Sequence, residues 1–198
     1  MRVQRDPRVT VRPLAPDRYD AIHRMESSNQ FGPHRIDADA TADELIGALW
    51  NGVLTQCTVH ATTTDELVGL VTCYDADVRN RNGWIAVRST PDRIGSGLAL
   101  LGLAHLITDL FGDWQMRSLR AETTPSALAQ FASALGPVAR VEGVLTGYRL
   151  VGGEPQDRIL LAIDAHPWMA TTGARMLRRR TLVRPRAQIR PGPMGSRR

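Results

Sequence analysis

The stretch PDRIGSGLALLGLAHLITDLFGDWQ, residues 91–115, carries a proline and two glycines straight into an apolar run. Leu98, Leu101, Ala104, Leu106 and Ile107 recur at helical spacing, Phe111 follows near the end, and Gly112 closes the run. A helix N-terminus presents orphan N–H groups and a partial positive charge, so a loop feeding it suits a phosphate. Gly95 and Gly97 would let a ligand approach the backbone with no Cβ in the way. Taken alone, the loop reads equally as a phosphate cradle or as a plain turn. It is not a dinucleotide fingerprint, because Leu100 stands where G-x-G-x-x-G requires its third glycine. Nor is it a lysine-bearing P-loop, because the chain has no lysine.

Outward from this loop, the pattern alternates between sheet and helix. Before it, VTVRPL (9–14) reads as a strand and Pro16-Asp17 opens a helix using Tyr19, Ile22 and Met25. TADELIGALWNGV (41–53) reads as a second helix, with a Thr41–Glu44 capping box. Strands follow at 56–62 and 66–74 around a Thr64-Asp65 turn, then at 83–90 after the polar turn RNRNG. After the loop and its helix come a strand at 118–123, a helix at 125–136 between Pro125 and Gly136, and two closing strands separated by VGGEPQD. The order predicts a mixed α/β sheet with one glycine loop at its central strand-to-helix join.

At 198 residues with 42% apolar composition the chain suffices for one domain and a tail. All 25 basic residues are arginine, and nine of them follow Ala170 in a segment with no acid. Residues 1–169 hold the other 16 arginines against 20 acids, a formal charge of −4. The expected organisation is a folded domain at 1–169 and an Arg/Pro/Gly-rich disordered tail at 170–198. The tail suits phosphate or acidic contacts but lacks interleaved aromatics, so nucleic acid enters only through it. Cys57 and Cys73 are too few for a zinc site or a disulfide framework and read as buried thiols. The opening residues carry no apolar leader and no run approaches a membrane span, so the expectation is a soluble cytoplasmic protein.

Element order and loop together resemble the GNAT superfamily of N-acetyltransferases. Its signature, Gln/Arg-x-x-Gly-x-Gly/Ala after a proline, is met here at Gly97 and Ala99 of Ile94-Gly95-Ser96-Gly97-Leu98-Ala99; Ile94 departs from it, with Arg93 alongside. ELVGLVTCYDADVRNRNGWIAV, MRSLRAET and ARVEGVLTGYRLVGGEPQDRILLAI are similar to strands of the ribosomal-protein N-acetyltransferase-like branch, and the likeness spans residues 8–168. The resemblance implies the GNAT fold, a mixed, mostly antiparallel central sheet flanked by about four helices. It implies acetyl-CoA or another acyl-CoA as cosubstrate, no metal, and the diphosphate gripped from Arg93 to Ala99.

On this template Val87 and Arg88 are the pantetheine-pairing positions, Arg88 reading equally as a solvated strand end. The tyrosine that many relatives place four residues before the terminal helix glycine is absent, since Ala132 stands there. Ser133 and Ser126 on that helix are candidates to hold a water or protonate the thiolate, or are ordinary helix serines. The branch's glutamate on the next-to-last strand is replaced by Arg149. Glu122, ending the 118–123 strand where the amine would arrive, is the candidate base, directly or through water; otherwise it caps or ion-pairs. Glu142 is the other strand carboxylate. His34 and Tyr74 are candidate substrate contacts, Tyr74 reading also as core, while His23 and His105 read as structural.

The reading is an acyl-CoA-dependent transferase acting on a primary amine or a protein N-terminus by direct transfer, with a homodimer left open. The acidic domain favours a cationic acceptor through long-range attraction. Two rivals stand beside it: a degenerate acyl-CoA-binding module, and an interaction protein acting through the arginine tail.

Overall fold

A computed structural model describes residues 3–27, 44, 47, 50–151 and 153–181. Its strands are β1 (Gln4–Arg5), β2 (Val9–Pro13), β3 (Val53–Ala61), β4 (Leu67–Asp77), β5 (Asn82–Ser89), β6 (Ser118–Thr123), β7 (Ala139–Val151) and β8 (Glu154–Asp164). The helices are α1 (Tyr19–Ser27), α2 (Leu98–Gly112), α3 (Pro125–Leu135), α4 (Ala165–Trp168) and α5 (Ala174–Thr181), with a π-turn at Met169–Gly173. One sheet runs β1-β2-β3-β4-β5-β6-β8-β7. Every neighbouring pair is antiparallel except β5–β6, which the crossover through α2 makes parallel.

The sequence pattern places these elements to within a few residues. Each arm of the first hairpin runs about three residues longer than its apolar alternation suggests, to Val53 and to Asp77. Val53 therefore belongs to β3 rather than to the helix expected over 41–53. Of that helix, Glu44, Gly47 and Trp50 are helical; Thr41 and the remainder lie outside the described residues. β1 is two residues long, too short for periodicity to register.

The core lies between one face of the sheet and α2. That helix is buried at Ala99 and continuously from Leu101 to Phe111, so its apolar residues serve every side and not one stripe. A polar knot ties the chain ends to it. Asp6, 1% exposed, sits 3.4 Å from His105 Nε2 of α2 and 3.7 Å from Arg179 of α5. The structural reading of His105 fits this place.

Residues 170–181, assigned from composition to the tail, are helical and belong to the packed body. Thr172, Gly173 and Met176 are buried, and Met176 joins the main apolar cluster. Arg175 and Arg178 are exposed on a helix whose inner face composition alone does not reveal. Residues 182–198 lie outside the described residues.

Gly69 of β4 marks the tightest join between sheet and helix. A Cβ there would lie 2.3 Å from the Arg88 carbonyl oxygen and 2.7 Å from the Ala99 Cβ. Gly69→Ala is expected to cost about 1–3 kcal/mol, because the obstructing atom is backbone and cannot rotate away. A lowered urea midpoint with an unchanged m-value checks it.

Candidate active site

The parallel ladder between β5 and β6 is short. It pairs Asn82 with Ser118, Gly83 with Leu119, Trp84 with Arg120 and Ile85 with Ala121, and stops there. Beyond that point Ala86 to Ser89 stay with β4, while Glu122 and Thr123 stay with β8. Two strands that pair at one end and part at the other leave a wedge through the sheet. A cavity of about 450 Å³ fills it.

Strand alternation divides the walls. Ile85, Leu119 and Ala121 pack in the core on the α2 side, so Val87 and Thr123 face that side too. With Ile94, Ser126, Ala127 and Phe131 they form an apolar rear arm beneath α2 and α3. On the opposite face Tyr74, Arg88, Glu122, Arg149 and Arg158 form a charged front arm. β5 and β6 position Arg88 and Glu122; the bulged β7–β8 hairpin brings Arg149 and Arg158 over them.

Glu122 is the hinge of that arm. One carboxylate oxygen accepts from Arg149 Nη2 at 3.3 Å, and the other is ion-paired to Arg158 Nη2. The Arg158 guanidinium also lies 5.0 Å over the Tyr148 ring, while its Nε is buried without a hydrogen-bond partner among the described residues. Burial pulls the Arg88 guanidinium down to about 10. Burial first, and then Asp75, raise the Tyr74 phenol above its ordinary value, so it stays protonated at neutral pH. Tyr74 stacks on Trp84 with centroids 6.5 Å apart, is half-buried outside the core, and lines the cavity.

The glycine turn sits at the rear mouth. Gly95 and Gly97 adopt φ of 83° and 72°, left-handed values that strain any residue with a Cβ. Gly95, Ser96 and Gly97 are exposed, Leu98 and Ala99 begin α2, and Ile94 is the residue that reaches the cavity. Within the turn the Ser96 N–H donates to the Arg93 carbonyl, and the Leu98 N–H to Ser96 Oγ. Arg93 turns away toward β4, where Nη2 pairs with Glu66.

Of the remaining sequence candidates, Ser133 is exposed on α3 and does not line the cavity, and Glu142 pairs with Arg120 at 2.8 Å outside it. His34 lies outside the described residues. Sequence reasoning overlooked Thr123 as a site residue. Its Oγ1 is buried in the wall of the wedge with no hydrogen-bond partner among the described residues. Its position beside Glu122 was the available signal. Burial pushes the Cys57 and Cys73 thiols up to about 12, so neither supplies a thiolate nucleophile. Among the described residues no group of His, Cys, Asp or Glu is placed to hold a metal ion, and no helix is long and apolar enough to cross a membrane.

The eight-stranded, mostly antiparallel sheet interrupted by one parallel, splayed pair, with a glycine turn leading into the central helix, is the GNAT fold. Solved structures agree. The spermidine/spermine N-acetyltransferase SpeG from Vibrio cholerae in complex with manganese ions is similar at TM-score 0.68 and 18% identity, over 82% of this chain and 96% of that one. A chimera of the same Vibrio cholerae enzyme with hSSAT gives TM-score 0.68 and 17% identity, over 82% and 98%. No family model and no curated protein matches the sequence.

Proposed function

We propose that the chain is an acyl-CoA-dependent N-acyltransferase, and the observation that carries this is the wedge between β5 and β6. A cavity lined from both faces of the sheet lets two reactants meet without either passing the other. The acyl-CoA enters from the rear, its diphosphate at the Arg93–Ala99 turn and its pantetheine along the open edge of β5 at Val87 and Arg88. The amine enters from the front. Its nitrogen attacks the thioester carbon, the C–N bond forms as the C–S bond breaks, and the thiolate leaves with a proton. A β5 amide polarises the thioester carbonyl. Glu122 takes the proton from the amine, and the buried Thr123 hydroxyl in the wall of the wedge protonates the departing sulfur. Ser126, on the rear arm, holds a water there. The ribosomal-protein-like branch rests on strand motifs alone; the solved neighbours are spermidine acetyltransferases.

Thermal unfolding with acetyl-CoA, longer acyl-CoAs and CoA tests the reading. A ligand at about 100 times its Kd adds about 2.7 kcal/mol, which should raise the Tm by about 5–10 °C. Unchanged Tm with every acyl-CoA overturns it.

A further inference from the structure

The front arm does not suit the acceptor that the chain's overall charge suggests. A polyamine needs carboxylates to receive its ammonium groups. Here three guanidiniums, Arg88, Arg149 and Arg158, face one carboxylate, Glu122, while Asp157, the other acid lining the cavity, alternates to the opposite face of β8. Neither acid is idle: Glu122 already holds two arginines, and Asp157 Oδ1 accepts the Gly147 N–H at 2.9 Å. Local charge decides what binds at contact distance, whereas the −4 of the domain acts only through screened long-range attraction.

We propose that the front arm receives a carboxylate, carried by the acceptor amine or by the free end of a dicarboxylic acyl chain, at Arg149 and Arg158. This rests on the acyltransferase reading and names the reactant class for the same site. Planar guanidiniums match a carboxylate with paired N–H donors, and Arg158 has a buried Nε still without an acceptor among the described residues. The arrangement also complements an amino-acid zwitterion. The carboxylate meets the two arginines while the ammonium meets Glu122 between them, which sets the nitrogen at the mouth of the wedge.

The test pairs kinetics with binding. Thiol release from acetyl-CoA is followed with the twenty L-amino acids, their decarboxylated amines and spermidine. Release from succinyl-CoA is followed with ethanolamine, which carries no carboxylate, and compared with acetyl-CoA and the same amine. The expected result is at least a tenfold higher kcat/KM for a carboxylate-bearing reactant than for its carboxylate-free counterpart. The first arm assigns the carboxylate to the acceptor, the second to the acyl chain. Arg149→Gln should raise the KM for that reactant at least tenfold with kcat within about threefold, and Arg149→Lys should restore it only in part. Should Arg149→Gln lower the Tm sharply, Arg158→Gln takes its place. Preference for spermidine or a decarboxylated amine with no preference for succinyl-CoA over acetyl-CoA, or an unchanged KM in the variant, overturns the inference. Calorimetric titration of the amino acids and succinate, with and without CoA, separates the two readings. A chain that binds CoA but no carboxylate loses only this inference, and one that binds carboxylate but no acyl-CoA loses the acyltransferase reading.

Discussion

Trp168→Ala is expected to destabilise the fold by about 3–5 kcal/mol. The indole is fully buried where β8 gives way to α4. It stands edge-on to Phe111 of α2, centroids 6.4 Å apart at 63°. Its Nε1 donates to Thr108 Oγ1 at 3.2 Å, and that hydroxyl donates to the Ala104 carbonyl at 2.7 Å. Truncation therefore opens a cavity against the central helix and removes a buried hydrogen bond. Relaxation into the space is limited, since a Cβ on Gly173 would lie only 2.9 Å from the ring and Met169 Sδ is equally close to that position. For a domain of this length the loss corresponds to a Tm lower by about 6–20 °C. Trp168→Phe keeps most of the volume and forfeits the donor, so it should cost about 1 kcal/mol. Truncating the chain after Met169 should approach the alanine result, because Thr172, Gly173 and Met176 cover the same indole and helix. Full stability in the truncated protein would mean that the C-terminal helix is not part of the core.

That helix also marks where composition misleads. An acid-free segment rich in arginine, proline and glycine has the signature of disorder, and the average hides its first third. Its inner face is made by Thr172, Gly173 and Met176, of which only Met176 is a large apolar residue, so periodicity within the segment has no stripe to register. The sheet was more legible. Each strand but the two-residue β1 has its alternation, the glycine pair marks the turn into α2, and the resemblance orders them. Strand alternation assigns faces, yet it carries no information on where a parallel ladder ends. The wedge after Ile85 and Ala121 is a property of two strands diverging, and no single segment encodes it. The front arm was beyond reach for a related reason. Glu122 pairs with residues 27 and 36 positions later, and their approach depends on the bulge that sets the β7–β8 register. Arg149 looked from sequence like a missing base; in space it is a partner of the carboxylate expected to serve as one.

Glu122→Gln is expected to lower kcat by about 10²-fold or more, with KM changed by less than about threefold. The amide keeps the shape and one acceptor oxygen, so one of the two arginines retains its partner and the wedge keeps its walls. What disappears is the group able to take a proton from the amine as the C–N bond forms. Its place argues for that role: β6 ends at the opening, Glu122 faces the front arm and Thr123, the next residue, faces the rear. Acid and base chemistry then sit on adjacent residues of one strand, on the two sides from which the reactants arrive. The two guanidiniums hold both carboxylate oxygens in fixed directions, which limits the reorganisation needed when the amine docks. Single-turnover measurement with acyl-CoA prebound separates chemistry from binding. A fall confined to kcat assigns proton transfer to Glu122. A rise in KM with kcat preserved would instead make it a positioning residue for the two arginines, and the proton would have to leave through water.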